Sequence, residues 1–478
     1  MDNFLARWFG KSMTYLVHSY AIWIFLMTSF LAGLFPSHHV SAKNNQLISA
    51  LTSAYQTNPT LLAERAALRV ADEEIPQALS NWRPDISVSG ELGYSDVLST
   101  NSSGTGREQW RNSQALGVDI TQSIYRGGRT IIAIEQADNN IMAQRAKLMN
   151  TEQTIFSEVV AAFMDVVREQ AVLKLNSNNE KVLMRQLEAT QDRFQVGEIT
   201  KTDVNQAQAR LAQARADRIK GEGDLEGSRA TYLSIVGEPA PQALAEIESL
   251  KGLPKNKEEA LKIAAIKNPM VISAEFARLA ALKNVEKIWG ELLPELKLTG
   301  SWDRAFESSS EQGRTDTAKI SLGLTMPIYQ KGAVYSKLRK ARQEVAQKTF
   351  LVDVERRKAV KLASKTWEAL NSAKARVDSF NSQIEANAVA LEGVQREASV
   401  GSRTVLDVLD AEQELLDSRV SHIRARRDQL VGVYELKAAL GQLTGQALAL
   451  PVTLYDHRKH YREVRGMWMG AGSSGDMH

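Results

Sequence analysis

Polar and apolar positions along this chain change period in a fixed order, and they do so twice. From Gln46 to Asn81 apolar residues recur at helical spacing, with Asn58-Pro59 about a third of the way along. Glu258 to Leu293 repeats the pattern with Asn268-Pro269 in the corresponding place. This offset of 210 residues also carries Pro84 onto Pro294, Asp85 onto Glu295 and Gly90 onto Gly300. After each helical stretch the period falls from 3.6 to 2. Ile86, Val88, Leu92 and Tyr94 alternate with Ser87, Ser89, Glu91, Gly93 and Ser95, and Leu296, Leu298 and Trp302 alternate with Lys297, Thr299, Ser301 and Asp303. A loop of small polar residues follows, 99–113 and then 307–316, and a second alternating run succeeds each loop. Leu116, Val118 and Ile120 oppose Gly117, Asp119 and Thr121, while Ile320, Leu322 and Leu324 oppose Ser321, Gly323 and Thr325. The pattern predicts four strands of about ten residues, apolar on one face and polar on the other. Self-similarity at this scale marks a duplicated structural unit.

Beyond each strand pair lie 67 residues without proline, Arg129 to Gln195 and Ala333 to Ser399, now at an offset of 204. A continuous helix of that length spans about 100 Å at 1.5 Å per residue. Globular helices average roughly 11–12 residues. Each stretch ends on Val-Gly (Val196-Gly197, Val400-Gly401), followed by Thr200 or Thr404 and then by Asp203-Val204 or Asp407-Val408. Glycine supplies a left-handed helix terminus, and Thr and Asp accept hydrogen bonds from the free amides of the next helix. Each long helix therefore turns back on itself. The returning helices carry a seam stepping by 3 and 4: Val204, Ala207, Leu211, Ala214, Arg218, Gly221, Leu225, Ser228, Tyr232 and Ile235 in the first copy. In the second it is Leu406, Leu409, Gln413, Leu416, Val420, Ile423, Arg427, Leu430 and Tyr434. That is coiled-coil spacing, which holds helices together. Gly237 and Gly441 close the two copies.

Composition narrows the function. Among 478 residues the net charge is +3, so there is no bulk electrostatic case for nucleic acid. Aromatics are 6%, which suits long helices, and cysteine is absent, which removes disulfides and thiol chemistry. No HExxH, phosphate loop or nucleophile elbow occurs, so the chain reads as a non-enzyme without a cofactor. Arg7 and Lys11 precede an apolar run from Ala21 to Phe35, and Val40-Ser41-Ala42 has the small residues of a cleavage site. Residues 1–42 thus read as a cleaved export signal, short for a spanning helix. The expected organisation is residues 43–240 as the first repeat, 241–257 as a linker, 258–450 as the second repeat, and 451–478 as a basic, flexible tail. His457 and His460 stand three apart in that tail, but with no carboxylate cluster at ligand spacing they read as solvated rather than metal-binding.

Strands that are apolar outside and polar inside match what crosses an outer membrane. Lipid forbids open sheet edges, because every backbone group there needs a partner. Four strands cannot close around a lumen, so the chain is expected to oligomerise. Three subunits give an even count of twelve strands. Trp82, Tyr125, Trp289, Trp302 and Tyr329 lie near strand ends, where interfacial aromatic belts form.

From Gln46 to Leu450 the chain resembles the TolC family of outer-membrane efflux and secretion channels. The resemblance rests on the duplicated helix–strand–strand–helix order, the paired Asn-Pro positions and the Val-Gly…Thr…Asp-Val turns. It implies a mixed α+β membrane fold: a homotrimer in which a long periplasmic α-helical barrel is continued by a transmembrane β-barrel, with four strands per subunit. It further implies residence in the Gram-negative outer membrane and a periplasmic adaptor and an inner-membrane pump, of RND or ABC type, as partners at the helical tips. In the family, acids after the second turn form rings that narrow the periplasmic entrance; the matching residues are Asp407 and Asp410. Arg403, Thr202 and Asp203 match positions that link neighbouring hairpins and hold the entrance closed. A closing tyrosine of the family corresponds to Ala398, so that link is lost. Val196-Gly197 and Val400-Gly401 match the adaptor-docking turns. On residue chemistry alone, Thr202, Asp203, Thr404 and Asp407 read equally as helix caps and first-turn acids. Gln206 stands where the second copy has Asp410, so the expected acidic pair belongs to the second copy.

A reading of another class stays open on the residues alone: a periplasmic adaptor or coiled-coil scaffold anchored by its N-terminus. It needs a core-forming β domain between the helices, and the isolated strand pairs with polar opposite faces argue against one.

Overall fold

The structure is a computed structural model that describes residues 42–100, 103–104, 106–247, 250, 252–307 and 313–470. The expected export signal lies outside them except for Ala42. The helical stretch before the first strands is three helices, α1 (Ala42–Thr57), α2 (Pro59–Asp72) and α3 (Glu74–Ser80). Next come β1 (Asp85–Thr100), β2 (Gly106–Arg126), α4 (Arg129–Gln195) and α5 (Lys201–Val236). The second copy runs α6 (Lys257–Lys267), α7 (Pro269–Trp289), β3 (Glu295–Phe306), β4 (Arg314–Thr325), α8 (Ala333–Ser399) and α9 (Val405–Ala439), with a short α10 (Lys459–Val464) after it.

Both long helices start and stop at the residues the sequence predicts. Gly128 and Gly332 precede them in the left-handed conformation, which an L side chain adopts only at a cost. The Asn-Pro pairs prove to be joints. Asn58 accepts from the amides of Thr60 and Leu61 and donates Nδ2–H to the carbonyl of Ile235, 2.9 Å away at the end of α5. Asn268 accepts from the Met270 amide and donates to the carbonyl of Ala439, the last residue of α9. Proline in the first turn forfeits no helical bond. Each copy is therefore tied shut by one side chain at the same two places. The main core gathers here, around Phe156, Phe163, Leu51, Leu61 and Leu68.

The strands form one antiparallel sheet in the order β1-β2-β3-β4. They are longer than expected in the first copy, with 16 and 21 residues against 12 and 12 in the second. Residues 106–113, expected as loop, continue the ladder opposite 93–100. Backbone pairing needs no apolar alternation, so a count of alternating residues measures the apolar-faced part alone. Pairing sets Ile86 beside Ile120, Gly300 and Ile320, and Val88 beside Val118, Trp302 and Ala318. All of these lie on one face, and that face is bare: Leu92 is 83% and Ile320 84% exposed. On β3 and β4 it ends where Arg304 bonds Asp316 at 2.7 Å. From Leu296 to Arg304 that is about 27 Å along the strand at ~3.4 Å per residue, or roughly 20 Å once tilted by about 40°, close to the ~25 Å apolar band of outer-membrane barrels. Trp82, Tyr125, Trp289 and Tyr329 sit exposed where sheet meets helix, and Trp302 lies toward the far end under the Arg304 guanidinium.

The C-terminal segment differs from the expected solvated tail. Val464 is 4% exposed, the Tyr455 amide donates to Tyr55 Oη, and Tyr461 Oη donates to Asp138. Arg65 lies between the rings of Tyr55 and Tyr455. His460 Nδ1 stands 3.4 Å from the buried carboxylate of Asp72. Basic composition hid this because the segment docks through its rings and His460 onto residues of α1, α2 and α4 far away in sequence.

Candidate functional site at the hairpin tips

Both turns are built alike. At the end of α4, Gly197 has φ +81°, its amide donates to the Phe194 carbonyl, and the Glu198 amide donates to Arg193. At the end of α8, Gly401 has φ +79°, with bonds from Gly401 to Ala398 and from Ser402 to Glu397. This paired bonding satisfies the last carbonyls of a helix and forces the chain to reverse. Val196 and Val400 are left standing out at 72% and 80% exposure. The two expected docking turns thus each present a bare apolar side chain.

The next helix opens with a capping box in both copies. Asp203 Oδ2 accepts from the Thr200 amide at 2.9 Å and the Asp203 amide donates back to Thr200 Oγ1. Asp407 Oδ2 accepts from the Thr404 amide and hydroxyl, both at 2.8 Å. Those bonds, led by the backbone one, hold the Asp407 carboxyl below the usual carboxylate range, and the nearby Arg403 adds to the effect. Asp203 and Asp407 are therefore helix caps in the folded chain, whatever else they do.

Arg403 donates to Glu397 at 2.9 Å within its own hairpin, and that bond raises the Arg403 pKa. The first hairpin has a mirror-image strap, Arg193 to Glu198 at 3.1 Å. The charges are exchanged between the copies: a base on the outgoing helix in one, an acid in the other. Thr202 lies exposed in the first turn of α5. Ala398, in place of the closing tyrosine, contributes its carbonyl to the turn.

The two hairpins meet through their returning helices. Val405 and Leu409 of α9 pack with Ala207, Leu211 and Ala214 of α5 and Leu183 of α4 in a small apolar joint. Beside it, Arg210 of α5 bonds Asp410 of α9 at 2.5 Å. Sequence reasoning missed Arg210, since its partner is 200 residues away and no local spacing connects them. The predicted seam of α5 is buried at Ala207, Leu211, Ala214, Gly221, Leu225 and Tyr232. On α9 it is buried at Leu409, Leu430 and Tyr434, while Leu415, Ser418 and Ala425 take over between them. Farther up, Arg427 reaches α4 with two bonds to Asp165, at 2.8 and 3.2 Å.

The duplicated fold, the bare-faced sheet and the doubled turns have counterparts among known proteins. The sequence model described as outer membrane efflux protein matches residues 50–238 and 260–442, one match per copy. The outer membrane efflux protein BepC of Brucella suis is 32% identical over 431 residues, covering 90% of this chain and 92% of its own. The outer membrane protein TolC of Escherichia coli is 24% identical over 421 residues, 84% of this chain and 83% of its own. In fold, the Campylobacter jejuni CmeC outer membrane channel superposes with a TM-score of 0.74 at 14% identity, over 93% of this chain and 98% of its own. Both halves of the repeat are matched, so the chain belongs to the outer membrane efflux protein family.

Proposed function

We propose that this outer-membrane protein is the exit duct of a tripartite efflux or type I secretion system, passing small molecules or polypeptides outward without catalysing a reaction. One observation carries the reading. A four-stranded sheet with a bare apolar face and two unpaired edges, β1 and β4, continues into two 67-residue helices. In lipid those edges need partners, and β4 of one subunit pairing with β1 of the next closes a barrel; three subunits supply twelve strands. The helices carry the conduit about 100 Å from the membrane. At its far end Val196-Gly197 and Val400-Gly401 offer apolar knobs to a periplasmic adaptor, which brings an inner-membrane pump of RND or ABC type. Asp407 and Asp410 ring the entrance, with Arg403, Thr202 and Asp203 as links between hairpins of neighbouring subunits. Rings of acids favour cations and bind polycations. The test is reconstitution of the purified protein in planar bilayers. Cation-preferring conductance, reduced in preference by Asp407→Ala with Asp410→Ala, is expected; absence of conductance refutes the duct.

A further inference from the structure

We propose that Arg210 sets the charge of the periplasmic entrance by pairing with Asp410 across the joint between the two hairpins. This rests on the duct reading. Four observations converge on it. Arg210 and Asp410 come from different copies of the repeat and meet at 2.5 Å. They flank the apolar joint of Val405 and Leu409 against Ala207 and Leu211, which fixes the helices that carry them. Asp407, the other acid, spends its carboxylate on the Thr404 cap, so Asp410 is the acid of the pair that a mobile cation meets without a backbone partner. The copies also differ at these positions, with Gln206 in place of Asp410 and Glu414 in place of Arg210, so the pair forms only between unlike copies.

The consequence is a change in what the entrance selects. A guanidinium on each Asp410 cancels the second acidic ring and leaves the first to act alone. Both side chains are more than a third exposed, and exposed pairs are weak and screened by salt. A partner or a polycation at the tips can therefore break the pair and expose the second ring. Arg210 is thus a specificity-determining residue, one that a structural role alone would not require to carry charge.

The experiment compares wild type, Arg210→Gln, Arg210→Lys and Asp410→Asn trimers in planar bilayers, reading the potassium-over-chloride permeability ratio and block by hexaamminecobalt(III). Arg210→Gln is expected to raise the ratio about two-fold or more and to strengthen block, because three positive charges leave a ring of acids. Arg210→Lys keeps the wild-type ratio, and Asp410→Asn lowers it. A conducting wild type whose ratio is untouched by Arg210→Gln overturns this inference and leaves the duct standing. A wild type that conducts nothing overturns the duct itself. Greater conductance in Arg210→Gln at an unchanged ratio also counts against the inference, since it assigns Arg210 to packing alone.

Discussion

Gly441 and Gly401 offer a controlled comparison of what each left-handed glycine is for. Both have positive φ, +75° and +79°, so alanine at either costs about 1–2 kcal/mol of backbone strain. They differ in surroundings. A Cβ on Gly401 meets nothing within 4 Å, whereas one on Gly441 falls 2.4 Å from the Lys267 carbonyl oxygen and 3.3 Å from Pro269 Cδ. No carbon sits that close to an oxygen, so Gly441→Ala must push the end of α9 off the Asn268-Pro269 joint by several tenths of an ångström. Crowding of that kind adds about 1–3 kcal/mol. The joint is also where Asn268 reaches the Ala439 carbonyl, so the displacement strains a second bond. Hydrogen exchange of the folded protein reads the effect locally. The amides of Leu440, Gly441 and Gln442 donate to Leu436, Ala438 and Lys437, and their protection reports the opening of that helix end. An extra 1–3 kcal/mol corresponds to about 5- to 150-fold faster exchange in Gly441→Ala than Gly401→Ala produces at Gly401 and Ser402. Equal losses in the two variants would refute the idea that the close approach to Lys267 holds the second copy shut.

Two further expectations follow from named contacts. Asp407 has a folded pKa below its unfolded value of about 3.9, so its cap is fully in place above that value and is lost as pH falls through the lower folded one. Amide protection at the first turn of α9, taken relative to intrinsic exchange at each pH, should fall on acidification in wild type and stay flat in Asp407→Asn; a flat wild type would refute it. Removing the partly buried, doubly hydrogen-bonded ion pair between Arg427 and Asp165 with Arg427→Ala should cost about 1–2 kcal/mol. The reading is the urea midpoint of helix unfolding by circular dichroism, and no shift would mean that α4 and α9 are held by apolar packing alone.

What the sequence disclosed is what local chemistry enforces. The ends of α4 and α8 were legible because glycine, threonine and aspartate each do one backbone task there, and the capping boxes confirm it. The apolar-faced part of the strands was legible from alternation, and their outer extensions were not, because residues 106–113 pair through backbone without a periodic apolar signal. Leu415, Ser418 and Ala425 displaced the expected seam of α9, since that helix packs against α4 as well as α8 and a single heptad cannot describe two partners. The C-terminal segment was misjudged for a related reason. Its charges were visible, but the rings of Tyr55 and Tyr455 on either side of Arg65 join residues some 400 positions apart.

The tip shows where duplication and divergence part company. Positions that close the backbone match between copies: Asn58 and Asn268, Gly197 and Gly401, Thr200 and Thr404, Asp203 and Asp407. Charges at the tips do not match. Arg193 faces Glu397 in the alignment of the copies, Glu198 faces Ser402, Gln206 faces Asp410 and Arg210 faces Glu414. Backbone closure has one solution, so both copies keep it. Charge has many solutions, and an assembly of two-copy chains sets unlike hairpins side by side. Two copies like the second would set Glu against Asp at that contact, where they repel, and two like the first would set Arg against an uncharged Gln. Exchange of charge between the copies turns the same contact into Arg210 bonded to Asp410, and it supplies each turn with its own strap of opposite polarity. The asymmetry is therefore what lets the two hairpins of the chain hold one another by charge as well as by the apolar joint.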